Sequence, residues 1–202
     1  MKKVLISILT VILIASIYGC GHSNNSESYP DISNFTNASK NELKPYLEEV
    51  RSSVESYYKA STSNEQDFPT LPISLSKSCK KYLELKFKYE SSNNMKENGK
   101  KYIKGEYKID DYKIVNNRIV CVVSANVLFQ YLDAQSTSRF ADEIQIAIEN
   151  PQSPQIVDWY NGDPASFDSI TRDHNLDLTN DSNLLVNQDI EQILDKGTQL
   201  LE

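Results

Sequence analysis

The chain has 202 residues, of which 28 are Asp or Glu and 21 are Lys or Arg, so its formal net charge at pH 7 is −7. Charged residues make up 24% and hydrophobic residues 39%, a composition typical of a folded domain in water. The acidic balance, together with the lack of a basic stripe interleaved with aromatic residues in the sequence, disfavours nucleic-acid binding.

The first 19 residues predict an export signal. Lys2 and Lys3 precede a mostly apolar run over residues 4–17, which is the pattern of a signal peptide. This run is shorter than the ~20 residues that a helix needs to cross a bilayer. The leader does not end in small residues of the Ala-x-Ala kind, but in Ile17-Tyr18-Gly19-Cys20.

This ending resembles the lipobox of bacterial lipoproteins, in which an aliphatic residue, a small residue and a cysteine hold fixed positions. Tyr18 departs from the small or hydroxylated residue that is usual in the second position. The resemblance implies that leader 1–19 is removed and that Cys20 carries a lipid anchor, with diacylglyceryl and acyl chains such as palmitate. Two or more chains hold a protein stably on a membrane, so we expect it on the extracytoplasmic face of the cell membrane.

Two alternatives to this interpretation of the leader stay open. The apolar run could be an N-terminal anchor that is never cleaved, although it is short for that purpose. Cys20 could also be incidental, following an ordinary leader of a secreted protein. Residues 20–38 are rich in Ser and Asn and poor in large aliphatic residues, which predicts a disordered tether.

Two helices are predicted after the tether. Residues 39–62 carry apolar side chains at three- and four-residue spacing, with Ser39 or Asn41 as the cap. The apolar positions are Leu43, Leu47, Val50, Val54 and Tyr57. Residues 74–92 predict a second, less regular helix.

From Lys101 onward the apolar period changes to two, which predicts strands. We expect a strand over 101–115 with an irregularity at Asp110-Asp111, and a tight turn at Asn116-Asn117. Further strands are predicted over 118–132, 139–149 and 156–160. Helices followed by strands predict an α+β fold, with the helices on one face of a bent antiparallel sheet of about four strands.

This order of elements resembles the NTF2-like (nuclear transport factor 2-like) fold over about residues 40–160. The resemblance implies a cone of curved sheet closed by helices, here a domain over 39–165. Residues 156–173 are also similar to the end of the NTF2-like region in some exported clostridial proteins. Residues 166–202 then form a C-terminal extension ending in a helix, with Ile190, Ile193, Leu194 and Leu201 on its apolar side.

Besides Cys20, the chain contains Cys79 and Cys121. Both fall on apolar faces of predicted elements, so they can be buried thiols or, after export, a disulfide. Catalysis by Cys79 with His174 is disfavoured, because no nucleophile signature surrounds either residue. In the folded part, two cysteines and one histidine, His174, at unrelated positions predict no metal site, and no motif for a cofactor is present.

Three residues are candidates for lining a pocket: Asp142, Trp159 and Tyr160. Asp142 lies on the apolar face of its predicted strand, where a carboxylate has a raised pKa unless it is paired. The alternatives are that Asp142 reaches water or Arg139 near the strand end, and that Trp159 belongs to the core. Asp110 and Asp158 are further carboxylates in or beside strands.

The sequence favours a non-catalytic binding or scaffolding protein of the cell envelope. Its expected partners are the membrane, through Cys20, an envelope or cell-wall protein, and a second copy of the chain through the sheet. The alternative is a small isomerase- or hydrolase-like enzyme that uses an acidic residue in the cone, as members of the NTF2-like fold can. The two differ in one observable: an enzyme needs an acid or base aimed into a deep pocket.

Overall fold

The computed structural model describes residues 29–63, 65–96, 99–134 and 136–202. These residues form an α+β fold with a five-stranded sheet, which confirms the predicted fold class. The helices are α1 (Lys40–Ser61), α2 (Lys77–Lys96), α3 (Phe167–Thr171) and α4 (Ile190–Gln199). The strands are β1 (Ser74–Leu75), β2 (Lys100–Val115), β3 (Arg118–Tyr131), β4 (Thr137–Glu149) and β5 (Gln155–Asn161).

Helix α1 begins at a capping box. The Ser39 hydroxyl accepts a hydrogen bond from the Glu42 amide, and the Glu42 carboxylate accepts one from the Ser39 amide at 2.7 Å. Two otherwise unpaired amides at the helix start are satisfied in this way. The buried side of the helix includes four residues of the predicted apolar stripe: Leu43, Val50, Val54 and Tyr57.

The sheet has the order β1-β5-β4-β3-β2. Strands β2 to β5 form the antiparallel meander that the alternating pattern predicts. The structure adds β1, which pairs in parallel with β5 through Ser74 and Leu75 only. The sheet is therefore mixed and five-stranded instead of antiparallel and four-stranded. A two-residue strand is too short to produce a period in the sequence.

Irregularities bend the sheet where the chain would otherwise run straight. The pairing of β2 with β3 shifts register between Tyr102 and Lys104 and again between Ile109 and Asp111. The second shift falls at the predicted irregularity, and such bulges increase strand twist. Asn116 and Asn117 form the β2–β3 turn with φ values of 49° and 60°, which asparagine tolerates better than most residues.

One face of the sheet, here called the inner face, packs against helices α1 and α2. Alternate residues of β3 and β4, such as Val123 and Ile146, are fully buried in this core. Large aromatic side chains fill the space beneath the sheet, among them Tyr46, Tyr57 and Trp159. The concave side of the sheet is thus a packed interior.

The folded part begins before residue 39. Tyr29 stacks on Tyr46 with ring centroids 4.8 Å apart, and Phe35 is fully buried. The Phe35 amide donates to Asn117 Oδ1 at 2.6 Å. Residues 29–38 therefore lie on the domain and do not belong to the tether predicted over 20–38, because their few large side chains dock on α1.

Residues 166–202 pack on the domain, and helix α4 buries Ile193 and Gly197. Residues 173–187, here called the C-terminal strap, run over the outer face of the sheet. Leu176, Leu178 and Leu184 of the strap form a second core cluster with Val120, Ala147, Val157 and Tyr160 of the sheet.

Candidate functional site

A cavity of about 530 Å³ lies beside the end of strand β5. Strand β5 stops at Asn161, which is paired with Ile144, so the chain turns away and leaves the earlier part of β4 without a neighbour on that side. The cavity fills this notch. Its lining comprises Ala141, Asp142, Glu143 and Gln145 of β4, Tyr160–Asp163 at the end of β5, and Asn175, Leu176 and Asp177 of the strap.

Two of the three predicted pocket residues line this cavity and the third does not. Asp142 and Tyr160 lie in its wall. Trp159 is fully buried in the core, where its ring lies 5.2 Å from that of Tyr57. Trp159 is therefore part of the core and does not line this cavity, which agrees with the alternative given for it in the sequence.

Asp142 faces the inner side of the sheet and has a specific partner there. The Tyr58 hydroxyl of α1 donates a hydrogen bond to Asp142 Oδ2 at 2.6 Å. Burial raises the pKa of Asp142 above its usual value, although the bond from Tyr58 opposes the rise. The partner is therefore a tyrosine of α1 and not Arg139, whose side chain is exposed.

The cavity wall is acidic. Four of its lining residues are Asp or Glu, namely Asp142, Glu143, Asp163 and Asp177, and no Lys or Arg of the described residues belongs to the lining. Carboxylates that share a small space raise the local concentration of cations and disfavour anions. The arrangement is suited to a positively charged ligand.

The strap forms one wall of the cavity and is held there by Gln145. The Gln145 amide group donates from Nε2 to the Leu176 carbonyl at 3.1 Å and accepts at Oε1 from the Leu178 amide at 3.2 Å. The Tyr160 hydroxyl donates to the Asp173 carbonyl at 3.0 Å. These three bonds fix the strap against the sheet, so this wall is a defined surface of the fold.

A chain of polar side chains runs through the interior and was not apparent from the sequence. Lys86 of α2 is 2% exposed and forms an ion pair with Asp168 of α3, which is fully buried. Asp168 also accepts hydrogen bonds from the Tyr82 hydroxyl and from the Asn161 amide. Asp168 thereby ties α2 and α3 to the end of β5, next to the cavity.

Glu90 extends this chain along α2. The Tyr57 hydroxyl donates to Glu90 Oε2 at 2.9 Å, and Lys86 Nζ lies 3.9 Å from Glu90 Oε1. Burial raises the pKa of Glu90 to about 7, in spite of the positive charge of Lys86. Glu90 is therefore a carboxyl group that exchanges a proton near neutral pH.

A second buried ion pair joins the sheet to Arg172, the residue that follows α3 and precedes the strap. Arg172 binds Asp158 through two parallel hydrogen bonds of 2.8 and 2.9 Å, and both side chains are fully buried. The guanidinium group lies over the rings of Tyr82 and Tyr160. Asp158 thus has a structural partner. Asp110 lies at the exposed edge of the sheet, where Lys108 and Ser124 bind it.

Cys79 and Cys121 are both free and buried in the structure, and no disulfide joins them. Burial raises the pKa of both thiols, to about 12 for Cys121. A thiol with a raised pKa is a poor nucleophile, and His174 is an exposed residue of the strap whereas Cys79 is fully buried.

Cys20 lies outside the described residues. Among the residues that the structure does describe, no three His, Cys, Asp or Glu side chains are grouped so that they could bind a metal ion. In the same residues, no helix combines the length and apolar character needed to span a membrane.

Comparison of the chain with protein-family models, with curated protein sequences and with solved structures finds no match.

Proposed function

We propose that the protein is a bacterial lipoprotein, anchored through Cys20 to the extracytoplasmic face of the cell membrane, whose NTF2-like domain binds a positively charged ligand or partner without catalysis. The binding role is supported by the cavity at the end of β5, which is lined by four acidic residues and, within the described part of the chain, by no Lys or Arg. A protein at the cell envelope meets many cationic groups, including those of cell-wall and membrane proteins.

The leader supports the anchor. Lys2 and Lys3, the apolar run and the Ile17-Tyr18-Gly19-Cys20 ending follow one another in the order and spacing that a lipoprotein leader has. The architecture supports the NTF2-like assignment, since helices α1 and α2 precede a curled meander and pack on its inner face. The packed aromatic interior favours a binding domain over a cone that holds a substrate.

The contacts of the buried acids favour binding over catalysis. Asp142 is held by Tyr58, Asp158 by Arg172 and Asp168 by Lys86. Asp158 and Asp168 are engaged in buried ion pairs of the core, so neither is placed to act on a ligand. We also propose that two copies can pair through the sheet, using the part of the outer face of β2 to β4 that the strap does not cover.

The alternative is a small cone-pocket enzyme, isomerase- or hydrolase-like, and one observation favours it. Asp142 both lines the cavity and has a pKa raised by burial, which are two properties of a general acid. In that case the bond from Tyr58 would position the carboxyl group.

The anchor is tested by the intact mass of the protein purified from membranes of its host, beside a Cys20→Ala variant. We expect a mass that corresponds to residues 20–202 plus a diacylglyceryl group, and loss of both the added mass and membrane retention in the variant. An unmodified mass, or a leader still attached, would contradict the proposal.

The binding role is tested by titration of the exported domain with spermine, a cationic probe, followed by NMR. We expect shifts of amide signals around the cavity. The affinity for spermine should fall at least several-fold in Glu143→Gln and stay unchanged in Asp195→Asn, which removes an exposed carboxylate on α4. Signals that do not respond, or that respond equally over the whole surface, would argue against a cationic site.

A further inference from the structure

Strand β4 has an open edge next to the cavity. The pairing of β4 with β3 covers residues 137–148, whereas its pairing with β5 begins only at Ile144. Over residues 137–143, β4 therefore has a neighbour on one side only among the described residues. These seven residues also form no backbone hydrogen bond with a loop or turn among the described residues.

An open edge presents backbone groups that can pair with another strand. In an antiparallel sheet the N–H and C=O groups of alternate residues point to opposite sides. About half of the backbone groups of 137–143 therefore point away from β3, toward the space that β5 would occupy if it were longer. Such an edge is a template for the addition of an extended peptide.

The open edge and the acidic cavity coincide. Ala141, Asp142 and Glu143 belong to the edge and also line the cavity, whose opposite walls come from Gly162, Asp163 and the strap. The volume of about 530 Å³ falls in the range of ligand-binding clefts. A strand added here would continue the line of β5.

The charges of the cavity select the side chains of such a strand. Glu143 and Asp163 are exposed at its mouth and Asp142 lies deeper. A lysine or arginine that enters the cavity would find carboxylate partners, whereas an acidic side chain would be repelled.

We propose that the cavity binds an extended, basic segment of a partner protein, which adds as a strand to residues 137–143 of β4. The backbone bonds supply affinity, and the carboxylates of the cavity select lysine or arginine at alternate positions. This inference rests on the proposed binding function and specifies its partner.

The first test uses a heptapeptide, acetyl-Thr-Lys-Thr-Lys-Val-Lys-Thr-amide, beside the same peptide with Glu in place of Lys. We expect the lysine peptide to slow hydrogen exchange of about half of the amides in 137–143, and the glutamate peptide to have no effect. Equal protection of these amides by both peptides, or protection by neither peptide, would overturn the proposal.

The second test separates strand addition from simple ion pairing. Two lysine peptides with N-methyl groups on either set of alternate residues keep their charges, but each loses the backbone N–H donors of the methylated residues. The form that loses the donors facing β4 should bind at least tenfold more weakly than the parent peptide. Equal binding of both methylated forms and the parent peptide would overturn strand addition. If spermine still binds in that case, the cationic site stands and only the strand inference fails.

Two variants test the role of the cavity carboxylates. Glu143→Gln with Asp163→Asn should weaken the lysine peptide at least tenfold, while Asp195→Asn should leave its affinity unchanged. Both changed acids are exposed, so the fold is retained, which the dispersion of the NMR spectrum checks. An unchanged affinity in the double variant would contradict the role of the cavity carboxylates.

Discussion

Lys86 is buried although a lone ammonium group is costly to remove from water. It is tolerated because Asp168 and Glu90 are its neighbours, and these carboxylates raise its pKa despite the opposing effect of burial. The sequence could not reveal this pair, since Lys86 and Asp168 are 82 positions apart and each looks like a surface residue in its own element. Asp142 was recognisable because it interrupts an alternating apolar pattern.

We predict that Asp168→Asn destabilises the protein by about 3–5 kcal/mol, because it leaves Lys86 buried without its closest counter-charge. Urea denaturation measures the free energy of unfolding. The control is Glu191→Gln, which removes the exposed Lys81–Glu191 pair and should change stability by less than about 1 kcal/mol. Similar losses in the two variants would show that burial does not distinguish the pairs.

Glu90 should make stability depend on pH. The folded state holds its proton up to about pH 7, whereas the unfolded chain releases it near the ordinary value of 4.5. The folded state thus binds more protons between these values, and the free energy of unfolding falls as the pH rises through this window.

We therefore predict that Glu90→Gln gains roughly 1–3 kcal/mol relative to the wild type between pH 4.5 and pH 8. Denaturation curves at both pH values measure this difference. Glu84→Gln, on the same helix and 43% exposed in its side chain, should gain nothing. A difference that stays constant with pH would show that Glu90 titrates normally.

At the scale of elements, the long strands and helix α1 were predictable because each repeats one period over many residues. The less regular α2 was predicted over 74–92 and spans Lys77–Lys96. The predicted strand over 118–132 corresponds to β3 (Arg118–Tyr131), for example. What the pattern could not give was the contact of short segments with distant ones. Residues 29–38 look polar and unstructured, and only the docking of Phe35 and Tyr29 on α1 orders them.

Helix α4 approaches its neighbours closely through Gly197. A Cβ atom at this position would lie 2.7 Å from Phe167 Cζ and 2.8 Å from Leu85 Cδ2. We predict that Gly197→Ala destabilises the protein by about 1–3 kcal/mol through overpacking, although alanine favours helices. Thr198→Ala, on the exposed side of α4, should change the free energy of unfolding by no more than about 0.5 kcal/mol. Thermal unfolding compares the two variants. If Gly197→Ala instead stabilises the protein, α4 can shift to make room for the methyl group.

At the scale of the whole molecule, the C-terminal residues are built into the same core as the sheet. Leu185 and Ile193 belong to the main cluster, and Arg172 neutralises Asp158 beneath the strap. Removal of residues 166–202 would expose both clusters and leave a buried carboxylate without a partner. The extension predicted from the sequence is therefore energetically part of the domain.

We predict one cooperative unfolding transition for residues 29–202. Trp159, the only tryptophan of the chain, reports on the core by fluorescence, and hydrogen exchange of α4 amides reports on the extension. The two transitions should have the same midpoint in urea. An earlier loss of protection in α4 would instead identify the extension as a separate unit.

The docking of residues 29–38 also determines how the domain would face a lipid surface. The Tyr46 hydroxyl donates to the Pro151 carbonyl, and the Phe35 backbone amide donates to Asn117 Oδ1. The chain therefore enters the fold at the end that holds the β2–β3 and β4–β5 turns. With lipid on Cys20, as proposed, only residues 21–28 separate the bilayer from Tyr29, a reach of no more than about 30 Å. The chain would thus leave its anchor at the turn end of the sheet, whereas the cavity at Ala141–Gln145 lies further along β4 from that end.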